Sequence, residues 1–163
     1  MNWDLLFQMQ NELDQRIKKE HKLEDQNIVQ EKILALLVEI GELANETRCF
    51  KFWSNKGPND QAVILEEYVD GLHFIISLGL EFGFTYNGLH EGGQALESST
   101  TDQFLLVYEK AITFKNEQNQ ELYDQLFDSF LRLGEGLGFE EEMIQRAYVN
   151  KNEVNHQRQD TGY

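Results

Sequence analysis

Apolar side chains recur along the chain at the three- and four-residue spacing of an α-helix, and polar stretches separate these segments. The spacing predicts six helices, over approximately 3–19, 24–46, 61–82, 101–114, 121–133 and 140–153. Pro58 is the only proline, which favours long helices over a turn-rich β fold. The sequence shows no repeat and no domain linker. We therefore predict a single all-α domain over residues 1–163.

The second and third predicted helices each contain a pair of acidic residues. Glu39 and Glu42 lie three residues apart in a helix that is apolar on more than one side, a pattern typical of buried helices. Glu67 and Asp70 have the same spacing in the third helix. Residues three apart share one face of a helix. If the two helices pack together, the four side chains, which we call the acidic quartet, enter one space.

Four carboxylates in one space repel each other, by about 1 kcal/mol per pair in water and by more in a drier cleft. Protons or cations must therefore neutralise them. Ligand sets made only of oxygen suit hard cations such as Mg²⁺, which keeps several waters and is often shared with the phosphates of a substrate. The acidic quartet therefore predicts a metal site that recruits a polyphosphate.

The predicted loop over 47–59 is aromatic and basic and carries Lys51, Trp53 and Lys56. The sequence leaves two interpretations of this loop open. Its aromatic side chains either pack on the core beneath a crossover, or they form a lid that stacks on a base while the lysines hold phosphates.

The C-terminal segment carries Lys151, Asn155 and Arg158, which step by four and then by three residues. In a helix these side chains would form one polar, cationic stripe. Lysine supplies a point charge, and arginine supplies a planar fork that matches phosphate oxygens. In so acidic a chain, this stripe is a candidate phosphate clamp.

Three other features of the helices have both a structural and a functional interpretation. Gln10 and Asp14 form a polar i, i+4 pair that is either a solvated face or part of a binding site. His73 follows Asp70 by three residues and is either a satisfied core histidine or a substrate contact. Gly71 inside the third helix indicates close approach of a neighbouring helix or a ligand, because glycine is unfavourable in a helix.

Composition narrows the partners and the cellular location that we expect. The formal net charge is −15, from 29 acidic and 14 basic side chains, which argues against binding to nucleic acid or to anionic membranes. Cys49 is the only cysteine and permits no internal disulfide, which indicates a reducing cytoplasm. The first residues lack the pattern of a signal peptide, and no uncharged apolar run approaches the length of a membrane span. We therefore expect a cytoplasmic protein.

These residues together resemble the dimeric all-α dUTPase family, which belongs with the MazG-like enzymes to the all-α nucleoside triphosphate pyrophosphatases. The shared motif is E-x-x-E followed by E-x-x-D, which here is the acidic quartet. Segments more specific to the dUTPase branch are Gln10-Asn11-Glu12-Leu13-Asp14, Lys51-Phe52-Trp53, Asp70-Gly71-Leu72-His73-Phe74, and the run Lys151, Asn155, Arg158, Gly162-Tyr163. The region 98–140 carries no matching motif.

The resemblance implies a helical bundle with a four-helix core around the acidic site. It implies that Glu39, Glu42, Glu67 and Asp70 hold two or three Mg²⁺ ions, for which Mn²⁺ can substitute. Water would attack the α-phosphorus of dUTP and release pyrophosphate and dUMP, with Glu39 or Glu42 as the general base, and dUDP is a further expected substrate.

The resemblance also implies binding roles and an oligomeric state. The outer phosphates are expected to bind Lys51, Lys56, Lys151, Asn155, Arg158 and Tyr163. The nucleoside is expected to bind Gln10, Asp14, Asn45, Trp53, His73 and Phe74. Because the family is dimeric, we expect a homodimer whose sites draw on both subunits.

Three alternatives remain open from the sequence. The first keeps the chemistry but changes the base, as in a MazG-like pyrophosphatase acting on dCTP or a modified nucleotide. The second is a di-iron carboxylate bundle, although that fold uses two E-x-x-H motifs and Asn45 stands three residues after Glu42. The third is a non-catalytic helical interaction module in which the acidic residues form a solvated face.

Overall fold

Six α-helices make up the part of the chain that this computed structural model describes, namely residues 1–86, 88 and 98–162. They are α1 (Trp3–Glu20), α2 (Val29–Thr47), α3 (Gln61–Phe82), α4 (Thr100–Asn116), α5 (Gln120–Gly136) and α6 (Glu141–Asp160). No strand occurs within the described residues. The prediction of an all-α chain with six helices is confirmed. Tyr163, a candidate phosphate ligand, lies outside the described residues.

Two helix ends differ from the prediction. The second helix begins at Val29 rather than near residue 24, because the side chain of Asn27 accepts a hydrogen bond from the backbone N–H of Val29 and forms a turn there. The last helix continues to Asp160 instead of ending near residue 153. Arg16 of α1 holds this extension, since it donates to the carbonyl of His156 over 3.0 Å and pairs with Asp160 over 2.5 Å.

The third helix is the centre of the bundle and contacts α1, α2, α5 and α6. Its side chains Leu72, Ile75 and Ile76 are fully buried. On one side of α3, helices α1, α2 and α6 complete a four-helix arrangement around a cavity. On the other side α5 packs against it, and α4 joins α5 to α2. The region without a recognisable motif therefore forms the support behind α3.

Gly71 explains how α3 and α5 come so close. A Cβ atom at this position would lie 2.8 Å from Cζ of Phe130, which is too near for two carbon atoms. Phe130 is fully buried and stacks on Tyr68 with ring centroids 4.5 Å apart, so the ring has no room to yield. The glycine therefore serves a helix–helix contact, which was one of the two interpretations that the sequence allowed.

None of the helices in the described parts of the chain is both long enough and apolar enough to cross a membrane.

Candidate active site

A cavity of about 660 Å³ lies among α1, α2, α3 and α6. Its wall includes two acids of the quartet, Glu39 and Asp70. It also includes Gln10, Asp14, His73, Phe74, Asn155 and Arg158. Residues that the sequence offered separately as metal, phosphate and nucleoside ligands therefore line one cavity.

Three acids of the quartet come together where α2 packs against α3. Carboxylate oxygens of Glu39, Glu67 and Asp70 all lie within 4.8 Å of one another, which is close enough for them to share a cation. Glu42 is exposed and lies outside this group of three. No histidine belongs to the group among the residues that the structure describes. The donor set is thus made only of oxygen, which fits a hard divalent ion.

The crowding of these acids is visible in their proton affinities. Burial raises the pKa of Glu39 to about 7, and the neighbouring charges of Asp70, Glu42 and Glu67 add to the effect. Burial also raises the pKa of Glu67 and of Asp70. The influence of Glu42 on the pKa of Glu39 and of Glu67 shows that it stays near the group. Without a cation, the site therefore favours holding a proton.

Lys151 of α6 supplies part of the neutralising charge. Its ammonium nitrogen lies 2.7 Å from an oxygen of Asp70 and 2.8 Å from an oxygen of Glu66. The hydrogen bond from Lys151 lowers the pKa of Glu66 below its usual value. A residue expected to hold phosphate is therefore paired with two acids in this structure. Sequence reasoning missed Glu66, although its place next to Glu67 was a signal.

A second group of polar side chains in the cavity wall is centred on Asp14. Asp14 accepts hydrogen bonds from Lys32, Ser77 and Gln10, and Gln10 in turn contacts His73 and Tyr148. Lys32 also bonds to Glu81 over 2.5 Å. Gln10, Asp14 and His73 were expected at the nucleoside end, and the structure brings them together. Their partners that sequence reasoning missed are Lys32, Ser77 and Tyr148, of which Lys32 was visible as the only basic residue of α2.

Residues of the loop between α2 and α3 do not reach the cavity of their own chain. Trp53 is 66% exposed and contacts Phe50 and Phe52. Lys51 donates a hydrogen bond to Asn45, and both lie away from the cavity wall. Lys56 is exposed. The loop thus carries aromatic and basic side chains on the surface rather than beneath a crossover.

Comparison with known protein families gives a match that extends over almost the whole chain. The family model described as dUTPase matches residues 2–163. No curated protein matches the chain. The matched segment contains every helix of the described structure and every wall residue of the cavity.

Proposed function

The chain belongs to the all-α dUTPase family, and we propose that it hydrolyses dUTP in this cavity with divalent metal ions held by the acidic quartet. Membership of this family supports dUTP diphosphatase activity. The observation that carries this proposal is the meeting of Glu39, Glu67 and Asp70 within 4.8 Å, since Glu39 and Asp70 also line a cavity sized for a nucleotide. Residues 1–163 are proposed to act as one domain.

Mg²⁺ is the ion that the donor set fits best, with Mn²⁺ able to substitute, and two or three ions are expected as in the family. Glu39, Glu67 and Asp70 would hold the first, and Glu42 stands near enough to contribute to a further one. Bound there, such ions would neutralise the triphosphate and make water more acidic.

We assign the proton-accepting role to Glu39, with Glu42 as the alternative. Glu39 lies on the cavity wall beside Asp70, where its carboxylate can accept the proton of the attacking water. In the proposed step the oxygen of a water molecule bonds to the α-phosphorus of dUTP. The bond from that phosphorus to the bridging oxygen breaks, pyrophosphate leaves, and the proton of the water passes to the carboxylate. The products are dUMP and pyrophosphate, and dUDP would yield dUMP and phosphate by the same step.

The cationic residues of α6 are proposed to hold the outer phosphates. Asn155 and Arg158 line the cavity, and Lys151 lies beside the acids. When the substrate arrives, the ammonium group of Lys151 can exchange carboxylate oxygens for phosphate oxygens, because both are anionic acceptors. Lys51, Lys56 and Tyr163 remain candidates for the same role, and the first two would have to come from another subunit.

A homodimer would account for the exposed loop. The exposed apolar side chains of α2 and α4 are Leu34, Val38, Leu105 and Ile112. A small apolar groove of about 270 Å³ runs between these helices, with Gly41, Leu105 and Phe50 in its wall. Contiguous exposed apolar surface of this kind marks an interaction site. We propose that a second copy covers it, and that Asn45 and Trp53 approach the cavity of the partner.

The deciding experiment measures pyrophosphate release from each deoxynucleoside triphosphate in Mg²⁺, in Mn²⁺ and in chelator. We expect dUTP to be the preferred substrate, with turnover only when metal is present. Preference for dCTP would refute the assignment to uracil and leave the metal chemistry standing.

Thermal unfolding separates the enzyme from a non-catalytic interaction module. A cation that binds only the folded state raises its stability, so Mg²⁺ with a non-hydrolysable dUTP analogue should raise the melting temperature. Na⁺ at equal ionic strength serves as the control for general screening. An unchanged melting temperature would favour the interaction module.

A further inference from the structure

We propose that Asp14 and Lys32 set the direction of a buried hydrogen-bond chain, so that Nε2 of His73 accepts a hydrogen bond from an N–H or O–H donor of the bound nucleoside. This inference rests on the proposed function, because it needs a nucleoside in the cavity. It assigns Asp14 and Lys32 as positioning residues that act through Gln10 and His73.

The hydrogen-bond chain begins at Asp14, whose two carboxylate oxygens have different partners. One oxygen accepts from Nζ of Lys32 over 3.0 Å and from the hydroxyl of Ser77 over 2.6 Å. The other oxygen lies 2.8 Å from Nε2 of Gln10. A carboxylate paired with lysine can only accept hydrogen bonds. The NH₂ group of Gln10 must therefore face Asp14.

This orientation determines which hydrogen bonds the carbonyl oxygen of the Gln10 amide can make. Its carbonyl oxygen Oε1 accepts from the hydroxyl of Tyr148 over 2.7 Å and lies 2.6 Å from Nδ1 of His73. An amide oxygen has no hydrogen to give, so the hydrogen between it and His73 belongs to Nδ1. The imidazole is then protonated at Nδ1, and its Nε2 carries a lone pair.

Among the residues that the structure describes, the lone pair of Nε2 has no partner. His73 is 5% exposed, lies in the cavity wall, and stacks on Tyr148 with ring centroids 3.8 Å apart. Its Nε2 is itself buried and makes no hydrogen bond with any part of the chain that the structure describes. Burial also lowers the pKa of His73 to about 3, so the ring stays neutral near pH 7. A buried acceptor without a donor is unfavourable, and a ligand that brings a donor relieves that penalty.

A deoxyuridine nucleotide offers two groups of the required chemistry. The N3–H of uracil is a donor, whereas N3 of cytosine is an acceptor and would repel the lone pair of Nε2. The 3′-hydroxyl of the deoxyribose is the second donor. In the first case His73 contributes to the choice of base, and in the second it contributes to binding of the sugar.

Asp14→Asn keeps the shape of the side chain and should reverse the direction of every hydrogen bond from residue 14 to His73. The carbonyl oxygen of the introduced asparagine can still accept from Lys32 and Ser77, and its NH₂ group would replace the oxygen that faces Gln10. Gln10 would then turn its carbonyl towards residue 14 and its NH₂ towards His73. Nδ1 of His73 would become the acceptor, and the proton would move to Nε2.

Asp124→Asn is a matched control. Asp124 is 5% exposed and accepts a hydrogen bond from Gln120, four residues earlier on α5, over 2.9 Å. The substitution is the same, in the same kind of glutamine–aspartate pair, but Asp124 lies outside the cavity wall. It should change neither the histidine tautomer nor nucleotide binding.

The first measurement is the tautomer of His73, read from two-bond ¹H–¹⁵N correlations of the imidazole ring without ligand or metal. A His73→Gln variant identifies its signals among those of the 4 histidines. We expect Nδ1–H in the wild type and in Asp124→Asn, and Nε2–H in Asp14→Asn. A wild-type ring protonated at Nε2 overturns the proposal, and this readout does not depend on whether a variant folds.

The second measurement is calorimetric binding of dUMP, 3-methyl-dUMP and 2′,3′-dideoxyuridine monophosphate to metal-free protein. In the wild type, loss of the relevant donor should weaken binding by about tenfold or more. A penalty for the methylated base assigns the donor to N3–H, and a penalty for the dideoxy sugar assigns it to the 3′-hydroxyl. The penalty should disappear in Asp14→Asn. Equal binding of all three, or a penalty of the same size in Asp14→Asn, overturns the proposal.

These results are separable from the test of the proposed function. If dUTP is not hydrolysed but the wild-type ring is protonated at Nδ1, the proposed function fails and the hydrogen-bond direction stands. If dUTP is hydrolysed but the ring is protonated at Nε2, only the role of Asp14 and Lys32 fails.

Discussion

At the scale of single residues, charge governs this protein. Glu39 faces Glu67 and Asp70, and burial with their combined field raises its pKa to about 7. Lys151 offsets only part of that field, since it is shared between Asp70 and Glu66. The carboxylates that repel each other in this site are therefore the same ones that are proposed to bind metal.

Removing one charge from the acidic quartet should abolish activity and keep the fold. We expect Glu39→Gln, Glu42→Gln and Asp70→Asn each to reduce dUTP turnover by several orders of magnitude, because metal binding and proton transfer both need these carboxylates. Steady-state kinetics in saturating Mg²⁺, with circular dichroism for the fold, measures the effect. Glu153→Gln, at an exposed glutamate of α6, is the matched control and should retain full turnover.

The raised pKa of Glu39 makes the stability of the metal-free protein depend on pH. The pKa rises on folding from its ordinary 4.5 to about 7, so the folded state binds the proton more tightly than the unfolded chain does. The associated stability is complete below pH 4.5 and is lost as pH rises to about 7. In chelator, the free energy of unfolding of the wild type minus that of Glu39→Gln should therefore decrease from pH 5 to pH 8, as measured by urea denaturation. The difference is used because the lowered pKa of His73 favours the folded state as pH rises and acts in the opposite direction.

Glu39→Gln lacks this contribution, since glutamine does not titrate. Metal should show the opposite trend to the metal-free protein, because Mg²⁺ competes with the proton and binds better as pH rises through about 7. A difference between the wild type and Glu39→Gln that does not change with pH in chelator would contradict the environment that we describe for Glu39.

At the scale of elements, α5 determines where α3 can lie. The ring of Phe130 lies against Gly71, and the hydroxyl of Tyr123 donates to the carbonyl of Ile75 over 3.2 Å. Both contacts are on the side of α3 away from the acidic site. The region 98–140 therefore matters for function through position, because it holds the helix that carries Glu67 and Asp70.

Gly71→Ala tests this support. The added methyl group would lie 2.8 Å from a fully buried ring, so we expect destabilisation by about 1–3 kcal/mol despite the better helix propensity of alanine. Chemical denaturation measures the change. Gly57→Ala is the control, because a Cβ there meets no described atom within 4 Å, and the stability of this variant should be nearly unchanged. Equal effects at the two sites would mean that the α3–α5 contact is loose.

At the scale of the whole molecule, the described residues leave the face formed by α2 and α4 uncovered. Leu34 is 62% exposed and Leu105 is 61% exposed, although both belong to otherwise well-packed helices. The loop beside them places Phe52, 94% exposed, and Trp53 in solvent. A second copy of the chain would bury this surface and bring the loop towards a cavity.

Charge introduced into that face should separate the proposed dimer. We expect Leu34→Lys and Leu105→Lys to shift the sedimentation coefficient from that of a dimer to that of a monomer, because a buried unpaired lysine is unfavourable. Val154→Lys, at an apolar position of α6 with 41% exposure, is the control and should remain dimeric. A wild type that sediments as a monomer at all concentrations would refute the dimer.

Much of the site was predictable from local spacing. The three-residue intervals of Glu39–Glu42 and Glu67–Asp70 place each pair on one helix face whatever the rest of the fold does. The third helix has the predicted bounds 61–82 because its apolar pattern is long and uninterrupted. The step from Lys151 to Arg158 predicted one stripe, and α6 is helical across it.

Contacts between distant segments could not be predicted in this way. The extension of α6 depends on Arg16, which lies 140 residues before His156 along the chain. The chain of hydrogen bonds through Gln10 joins α1, α3 and α6, so its direction follows from packing and not from any local pattern. Glu42 likewise lies outside the group of three acids. Which carboxylates meet depends on how α2 packs on α3, and the spacing along each helix does not determine that packing.

The sequence by itself determined the helices, the acidic pairs and the family, because these depend on residue types at short intervals. Tertiary structure alone decided that Lys151 neutralises Asp70, that Asp14 lies against Lys32, and that Trp53 stays outside the cavity of its own chain. The physical reason is the range of the interactions. Helical periodicity acts over a few residues, whereas burial and charge act between any groups that folding brings together.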